Sequence, residues 1–429
     1  MSPKILALII FLICYGLILS RKVNPVLVCL VGVLALLISK SITLNQAVTS
    51  INYNVLGVFV GTMILSSLFI YSGVPAYLAA ILVNKSQRVG IALLLVCCLS
   101  AFISSFTENV ATVLIIAPLA LEIASVLGIN PVVLLIGVSL SANLQGCATM
   151  IGDSPSIILA MESGMNFNDF FWMPAVKAGV QMGKPGIFFA VQLGALASFY
   201  ILWRIFRKYQ NRPKGINLVK PKTWIPTWLL LSMVLSLIIS SFLPNKPQYI
   251  IAGICLFWGL IGFFWHGLSS QNPLSLFRDL DWQSFFFLIG IFILVGSLSY
   301  CGIIEDIAGN ISSFSGGNVL FAYSLIVFVS VAVSAFVDNI PYTLAMIPAA
   351  KMVATNLGVS IYPFLFGLLI GACLGGNITP IGASCNVVTI GLLRKKGYQV
   401  KFIEFLRIGL PFTMGAVFIG SLFIWLIWM

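Results

Sequence analysis

Three acidic residues stand in apolar sequence beside asparagine, threonine and serine. Residues 106–118 read FTENVATVLIIAP, with Glu108 next to Asn109, and residues 336–348 read FVDNIPYTLAMIP, with Asp338 next to Asn339. Residues 146–156, GCATMIGDSPS, contribute Thr149, Asp153 and Ser154; residues 375–386, GGNITPIGASCN, contribute Thr379, Ser384 and Asn386. No Lys or Arg falls between Arg88 and Lys177, or between Arg278 and Lys351, so the three carboxylates have no cationic neighbour along the chain. An ionised carboxylate within a membrane costs roughly 2.5–3.5 kcal/mol, and three of them about 8–10 kcal/mol. Protonation or a bound Na⁺ removes that cost. Amide, hydroxyl and backbone oxygens are the ligands a hard cation takes, and Glu108, Asn109, Asp338 and Asn339 are the candidates to hold Na⁺.

These motifs come in two copies. Phe106, Glu108, Asn109 and Pro118 match Phe336, Asp338, Asn339 and Pro348 at an offset of 230 residues. The same offset joins Gly128 to Gly358, Gly146 to Gly376, Thr149 to Thr379, Gly152 to Gly382 and Ser154 to Ser384; upstream, Gly61 and Gly73 match Gly290 and Gly302 at 229. An ungapped register through two polar motifs marks an internal repeat. The apolar runs 88–127 and 318–357 each carry a polar break at the carboxylate and read as paired spans or re-entrant hairpins. The runs 131–161 and 361–393 carry Gly, Ser, Thr and Pro in mid-segment and read as broken helices. Unwound backbone survives in a bilayer only when buried in protein or lining a wet cavity. Half-helix ends then offer N–H groups to anions and carbonyls to cations.

Composition supplies the surroundings. The chain has 429 residues, 60% hydrophobic and 8% charged, against roughly 25% charged in a soluble domain. Helical spans of about 20 residues with short loops give ten to twelve crossings and leave no room for a soluble domain. The expected fold is an all-α polytopic membrane protein: about 10 transmembrane helices plus two re-entrant hairpins, in two inverted-topology repeats with broken helices. The expected division is an N-terminal half 1–203 (repeat about 53–162), a basic linker 204–224 and a C-terminal half 225–429 (repeat about 282–393).

The net charge of +12 is expected to reflect orientation in a lipid bilayer rather than nucleic-acid binding. With both termini outside, 17 of the 23 basic residues fall inside, seven of them at 204–222. That loop is therefore placed in the cytoplasm of a multi-pass plasma-membrane protein. The N-terminal run lacks a small-x-small cleavage site, and Arg21 and Lys22 follow it, so it reads as an uncleaved first span.

The nine cysteines form no CxxC pattern and the one histidine, His266, has no HExxH context, which argues against a zinc site or protease. Cys147 and Cys385 lie in the breaks, as small packing residues or as ligands for a thiophilic metalloid. Glu122 has Met352 as its counterpart and is assigned no role.

FTENVATVLIIAP, FVDNIPYTLAMIP, GCATMIGDSPS and especially GGNITPIGASCNVV resemble the motifs of the ion transporter superfamily. The nearest branch unites arsenite permeases, NhaD-type sodium–proton antiporters and the pigmentation P protein, with a citrate-transporter-like domain. The resemblance runs from about residue 50 to 429. It implies a scaffold plus a transport domain, often dimeric, with ion and substrate held by hairpin tips and broken helices. On this chain it implies one half-site at Glu108, Asn109 and Thr149–Ser154, and another at Asp338, Asn339 and Thr379–Asn386. Where related members read GDPPN, this chain reads Gly152-Asp153-Ser154-Pro155-Ser156, and the Ser-Asn-Thr signatures of the dicarboxylate branch are absent in that form.

The expected function is a cation- or proton-coupled secondary transporter of an inorganic ion, through sodium–proton antiport or arsenite or antimonite efflux, with no cofactor beyond Na⁺ or H⁺. Two alternatives stand beside it: Na⁺-coupled uptake of an organic anion or sulfate, and a passive ion channel. No nucleophile–base pair or metal motif supports an enzyme.

Overall fold

A computed structural model describes residues 3–429 apart from 21, 180, 214–215, 245–246, 248 and 270–274; Arg21, Lys214 and Lys246 of the charge tally thus lie outside the described residues. The described chain is helical almost throughout. One short antiparallel ladder sets Trp172 opposite Pro185 and Met173 opposite Lys184. Among the described residues, seven helices are long and apolar enough to cross a bilayer: Pro3–Ser20, Tyr53–Ser72, Asn109–Leu127, Ile187–Phe206, Ile250–Ser269, Trp282–Tyr300 and Phe402–Trp428. Shorter apolar helices, including Pro25–Ile38 and Ile225–Ser241, stand beside them. Leu12, Phe102, Trp228 and Phe264 are exposed, as suits a protein whose solvent is lipid.

Helix starts follow local chemistry. Asn24 and Asn130 each precede a proline, and their side chains accept the N–H of Val26 and Val132 at 2.9 Å, while proline occupies the first turn where no N–H partner exists. Helix ends follow the repeat. Gly73 and Gly302 have φ of +73° and +72°, and Gly128 and Gly358 have +65° and +68°, a left-handed turn that suits glycine. Past Gly73 and Gly302 the chain continues as the short helices Val74–Lys85 and Ile303–Phe314, which the apolar runs alone do not separate from connecting loops.

The two 40-residue runs form hairpins of Val89–Ser104 with Asn109–Leu127, and of Val319–Ser334 with Asn339–Asn356. The broken helices are Pro131–Gly146 with Ser154–Ser163, and Ile361–Gly375 with Ser384–Lys395. Each hairpin packs on a half-helix from the other half of the chain: Asn109–Leu127 on Ser384–Lys395, and Asn339–Asn356 on Ser154–Ser163. The flanking helices cross over in the same way. Tyr53–Ser72 packs on Ile250–Ser269, and Trp282–Tyr300 on Pro25–Ile38. A Cβ on Gly61 would lie 2.3 Å from the Cys255 backbone, and one on Gly290 would lie 2.4 Å from the Cys29 Cβ. Only glycine permits these approaches.

Helix Tyr53–Ser72 separates two faces, one at Asn52 and one at Ser72. At the Ser72 face the basic linker is strapped down: Lys222 N–H donates to Ser72 O at 2.9 Å, Ile216 N–H to Asn84 Oδ1 at 2.8 Å, and Val89 N–H to Asn211 O at 2.8 Å. At the Asn52 face, Thr49 meets Tyr300 through hydroxyls 3.0 Å apart. Residues 282–284, at the opposite end of Trp282–Tyr300, therefore lie at the linker face.

Candidate functional site

The four polar segments converge where the hairpin tips meet the breaks. In the first half, Thr149 donates from Oγ1 to Ser105 O, and in the second Thr379 donates to Ala335 O, each across 44 residues. Ser156 Oγ donates to Gly146 O at 3.4 Å, and Asn386 Nδ2 to Gly376 O at 2.9 Å. The 230-residue register is thus repeated in the hydrogen bonds. Backbone crowds the breaks. A Cβ on Gly152 would lie 2.6 Å from Gly146 O, and one on Gly382 would lie 2.6 Å from Gly376 O.

The carboxylates are distributed between two cavities. Glu108, half-buried, shares a volume of about 10 Å³ with Asp153, Ser154 and Thr62, room for about one water-sized particle. Asp153 is 6% exposed and its Oδ1 accepts the Ser154 N–H at 2.9 Å. The Ser154 hydroxyl is buried and has no hydrogen-bond partner among the described residues. Asp338 lines a larger cavity of about 320 Å³ with Tyr15, Gln283, Ser284 and Ser384. Its Oδ2 accepts from Ser384 Oγ at 2.8 Å and its Oδ1 from the Ile340 N–H at 3.2 Å. Asn339 ties the two together by donating from Nδ2 to Asp153 Oδ2 at 3.1 Å.

The expected Na⁺ quartet is therefore split. Glu108 and Asp338 line different cavities, and neither Asn109 nor Asn339 lines either of the two. Asn109 Oδ1 accepts from Ser104 Oγ at 2.6 Å, while its Nδ2 donates to Asn143 Oδ1 at 3.0 Å. Thr149, Thr379 and Asn386 use their polar atoms to hold the breaks; Asn386 Oδ1 accepts from Ser139 Oγ at 2.7 Å. Asp153 and Ser154 are the residues that join Glu108.

Sequence reasoning missed the centre of this network. Asn143 Nδ2 donates to Asn377 Oδ1 at 3.0 Å and to Cys373 O at 2.8 Å, and Asn377 Nδ2 donates to Leu140 O at 3.1 Å. Both asparagines are 0% exposed. Asn143 stands two residues before Gln145 in an otherwise apolar and small-residue helix, and the available signal was the burial cost of an amide in lipid.

The thiols of Cys147 and Cys385 each meet a backbone carbonyl. Cys147 Sγ contacts Leu144 O at 3.2 Å and Cys385 Sγ contacts Ser139 O at 3.9 Å. No group of three or more His, Cys, Asp or Glu among the described residues is placed to hold a metal ion. His266 is buried edge-on to Tyr71, with ring centroids 4.9 Å apart.

Broken helices, hairpin tips and carboxylates with no Lys or Arg in their cavities, set in a lipid-facing bundle, define a membrane transporter, and known proteins place it further. A family model described as "Citrate transporter" (CitMHS) matches residues 15–371, and the chain belongs to that family. An uncharacterized transporter of Mycobacterium tuberculosis is 31% identical over 99% of this chain and 98% of its own length. The P protein of Mus musculus is 26% identical over 96% of this chain and 58% of its own length. The fold is similar to the YdaH transporter of Alcanivorax borkumensis, with a TM-score of 0.59 at 13% identity, covering 99% and 98% of the two chains. It is also similar to MtrF of Neisseria gonorrhoeae, with a TM-score of 0.51 at 13% identity, covering 86% and 80%. The chain is a membrane transporter and not an enzyme.

Proposed function

We propose that this transporter is a cation- or proton-coupled secondary carrier working by alternating access, with an inorganic ion as substrate, through sodium–proton antiport or arsenite or antimonite efflux. The observation that carries the reading is the lack of counter-charge at the carboxylates. The ion pairs among the described residues are Lys4–Asp306 and Lys177–Asp169. No Lys or Arg lines either cavity that holds Glu108, Asp153 and Asp338. A proton or Na⁺ is then the species that neutralises them, and the two compete for the same oxygens. Such competition yields exchange when the sites open alternately, because a ligand shifts a conformational equilibrium only through differential affinity.

The small cavity suits Na⁺ or a proton: two carboxylates and an unpartnered Ser154 hydroxyl surround space for one small particle. The larger cavity passes Leu19, Val23, Pro25, Gln283 and Ser284 at the linker face. We take that face as cytoplasmic on the strength of its basic residues, with both termini outside. Inverted repeats are supported by the first hairpin's Gly90 meeting the linker face (its N–H to Tyr209 O, 2.9 Å) while the second hairpin's Lys351 meets Glu162 at the other.

A second reading, Na⁺-coupled transport of an organic anion such as citrate, is favoured by the family's description. The start of helix Ser384–Lys395 lines the larger cavity, and Ala383 before it offers no side-chain cap, which leaves N–H groups for an anion. Proteoliposomes with imposed pH and Na⁺ gradients and a panel of inorganic ions and carboxylates separate the readings. Coupled flux is expected to disappear in Glu108→Gln and in Asp338→Asn; unaltered coupled flux in both variants overturns the proposal.

A further inference from the structure

The end of the first broken helix farthest from the carboxylates carries a second polar cluster. Ser154–Ser163 starts at Asp153 and reaches Glu162 about 13 Å away at 1.5 Å per residue. There Glu162 Oε1 accepts from Asn52 Nδ2 at 2.8 Å, and the Lys351 ammonium donates to the Glu162 carbonyl oxygen. Asn52 is itself fixed, because its Oδ1 accepts the N–H groups of Asn54 and Val55 at 3.1 and 3.2 Å. Lys351 arrives from the second hairpin and meets a helix C-terminus, where free carbonyls favour a cation. Three elements are thus tied at one point: the flanking helix Tyr53–Ser72, the broken helix and the opposite hairpin.

Among the described residues, the opposite face has no such tie. By the repeat offsets of 229 and 230, Asn52, Glu162 and Lys351 correspond to Asp281, Leu392 and Leu121. Asp281 turns to its own helix, accepting from Ser284 N–H at 3.0 Å and Ser284 Oγ at 2.5 Å. Leu392 and Leu121 have no polar side-chain atom to offer it. That is the face where the 320 Å³ cavity reaches Asp338 past Gln283 and Ser284, whereas the cavity of Glu108 and Asp153 holds about 10 Å³.

We propose that Asn52, Glu162 and Lys351 form a latch that closes the face opposite the basic linker, and that its rupture opens the Glu108–Asp153 cavity to that side. Glu162 is a positioning residue. It acts through the helix whose first turn presents Asp153 and Ser154. The inference rests on alternating access but not on which ion is carried.

The test needs no substrate. Ile157, 2% exposed and lining the small cavity, is replaced by cysteine as a reporter in sealed vesicles. A membrane-impermeant maleimide is added from the latch side, and labelling is counted above that of the parent chain. Labelling is expected to be slow with the latch intact and to rise at least fivefold in Glu162→Ala or Asn52→Ala. Glu162→Gln keeps the acceptor and should stay within twofold of the intact latch. As a second arm, Asn52→Cys with Glu162→Cys, joined by a short bifunctional maleimide before the probe is added, should suppress reporter labelling in every ionic condition. Unchanged labelling in Glu162→Ala of normal thermal stability, or undiminished labelling after cross-linking, overturns the latch. Latch-dependent labelling that is indifferent to Na⁺ and pH sustains the latch and counts against cation coupling instead.

Discussion

Asn339 Nδ2 donates to Asp153 Oδ2 at 3.1 Å, joining a hairpin tip in one half of the chain to the helix break in the other, 186 residues apart. Asn339 follows Asp338 directly, and Asp153 shares its cavity with Glu108. This one amide therefore links the hairpin tip that carries Asp338 to the cavity that holds Glu108 and Asp153.

Removing that donor should be costly. A hydrogen bond to a charged group contributes roughly 1.5–3 kcal/mol. Asn339→Ala is expected to lower coupled flux at least tenfold in proteoliposomes, and Asn339→Asp to lower it further by adding a carboxylate. Wild-type flux in Asn339→Ala would show that the two cavities work independently.

Ion binding should be visible as stability. A ligand at a hundred times its dissociation constant stabilises the folded state by about 2.7 kcal/mol. Purified protein in detergent is expected to melt several degrees higher in Na⁺ than in an equal concentration of a large organic cation. Glu108→Gln should erase the difference. A shift that survives in Glu108→Gln places the cation elsewhere.

The breaks should reject even a methyl group. A Cβ on Gly152 meets Gly146 O at 2.6 Å and Ser104 O at 2.8 Å, and one on Gly382 meets Gly376 O at 2.6 Å and Ala335 O at 2.7 Å. Both alanine variants are expected to lose folded yield and several degrees of melting temperature. Gly391, in helix Ser384–Lys395 with nothing within 4 Å of its Cβ position, is the control, because alanine is the better helix former by about 0.5–1 kcal/mol. Equal losses at all three positions would remove the steric explanation.

Asn143 and Asn377 should behave as a pair. Their mutual bond and their bonds to Cys373 O and Leu140 O join the two broken helices. In a double-alanine cycle scored by thermal stability, the coupling is expected at roughly 0.6–2 kcal/mol, within the range for polar contacts between membrane helices. Strict additivity would mean that each amide serves only its own carbonyl.

Much of this arrangement was legible because the repeat conserves the residues that backbone geometry demands. Gly73 and Gly302, or Gly152 and Gly382, stand out as matched glycines before any coordinates, and each occupies a turn or a crowded break. Glu108, Asp153 and Asp338 were legible because a carboxylate in apolar sequence demands compensation. The partnering between segments was not. Nothing along the chain says that Glu108 joins Asp153 rather than Asn109, since that depends on which hairpin meets which break. Asn143 and Glu162 escaped notice because a polar residue without a charged or repeated counterpart reads as packing or as a helix end. Helices Val74–Lys85 and Ile303–Phe314 escaped because twelve residues are too few for a span.

The crossed packing of the flanking helices bears on how such a chain is put together. Gly61 receives the Cys255 backbone, and Gly290 receives Cys29, so each half leaves open a groove shaped for a helix that only the other half can supply. Two separate polypeptides divided within 204–224 would keep every one of these contacts. Either polypeptide alone would present a slot to lipid, which cannot fill it as a helix backbone does. The stretch that hydrogen-bonds Ser72, Asn84 and Val89 also keeps both partners of each groove in one molecule.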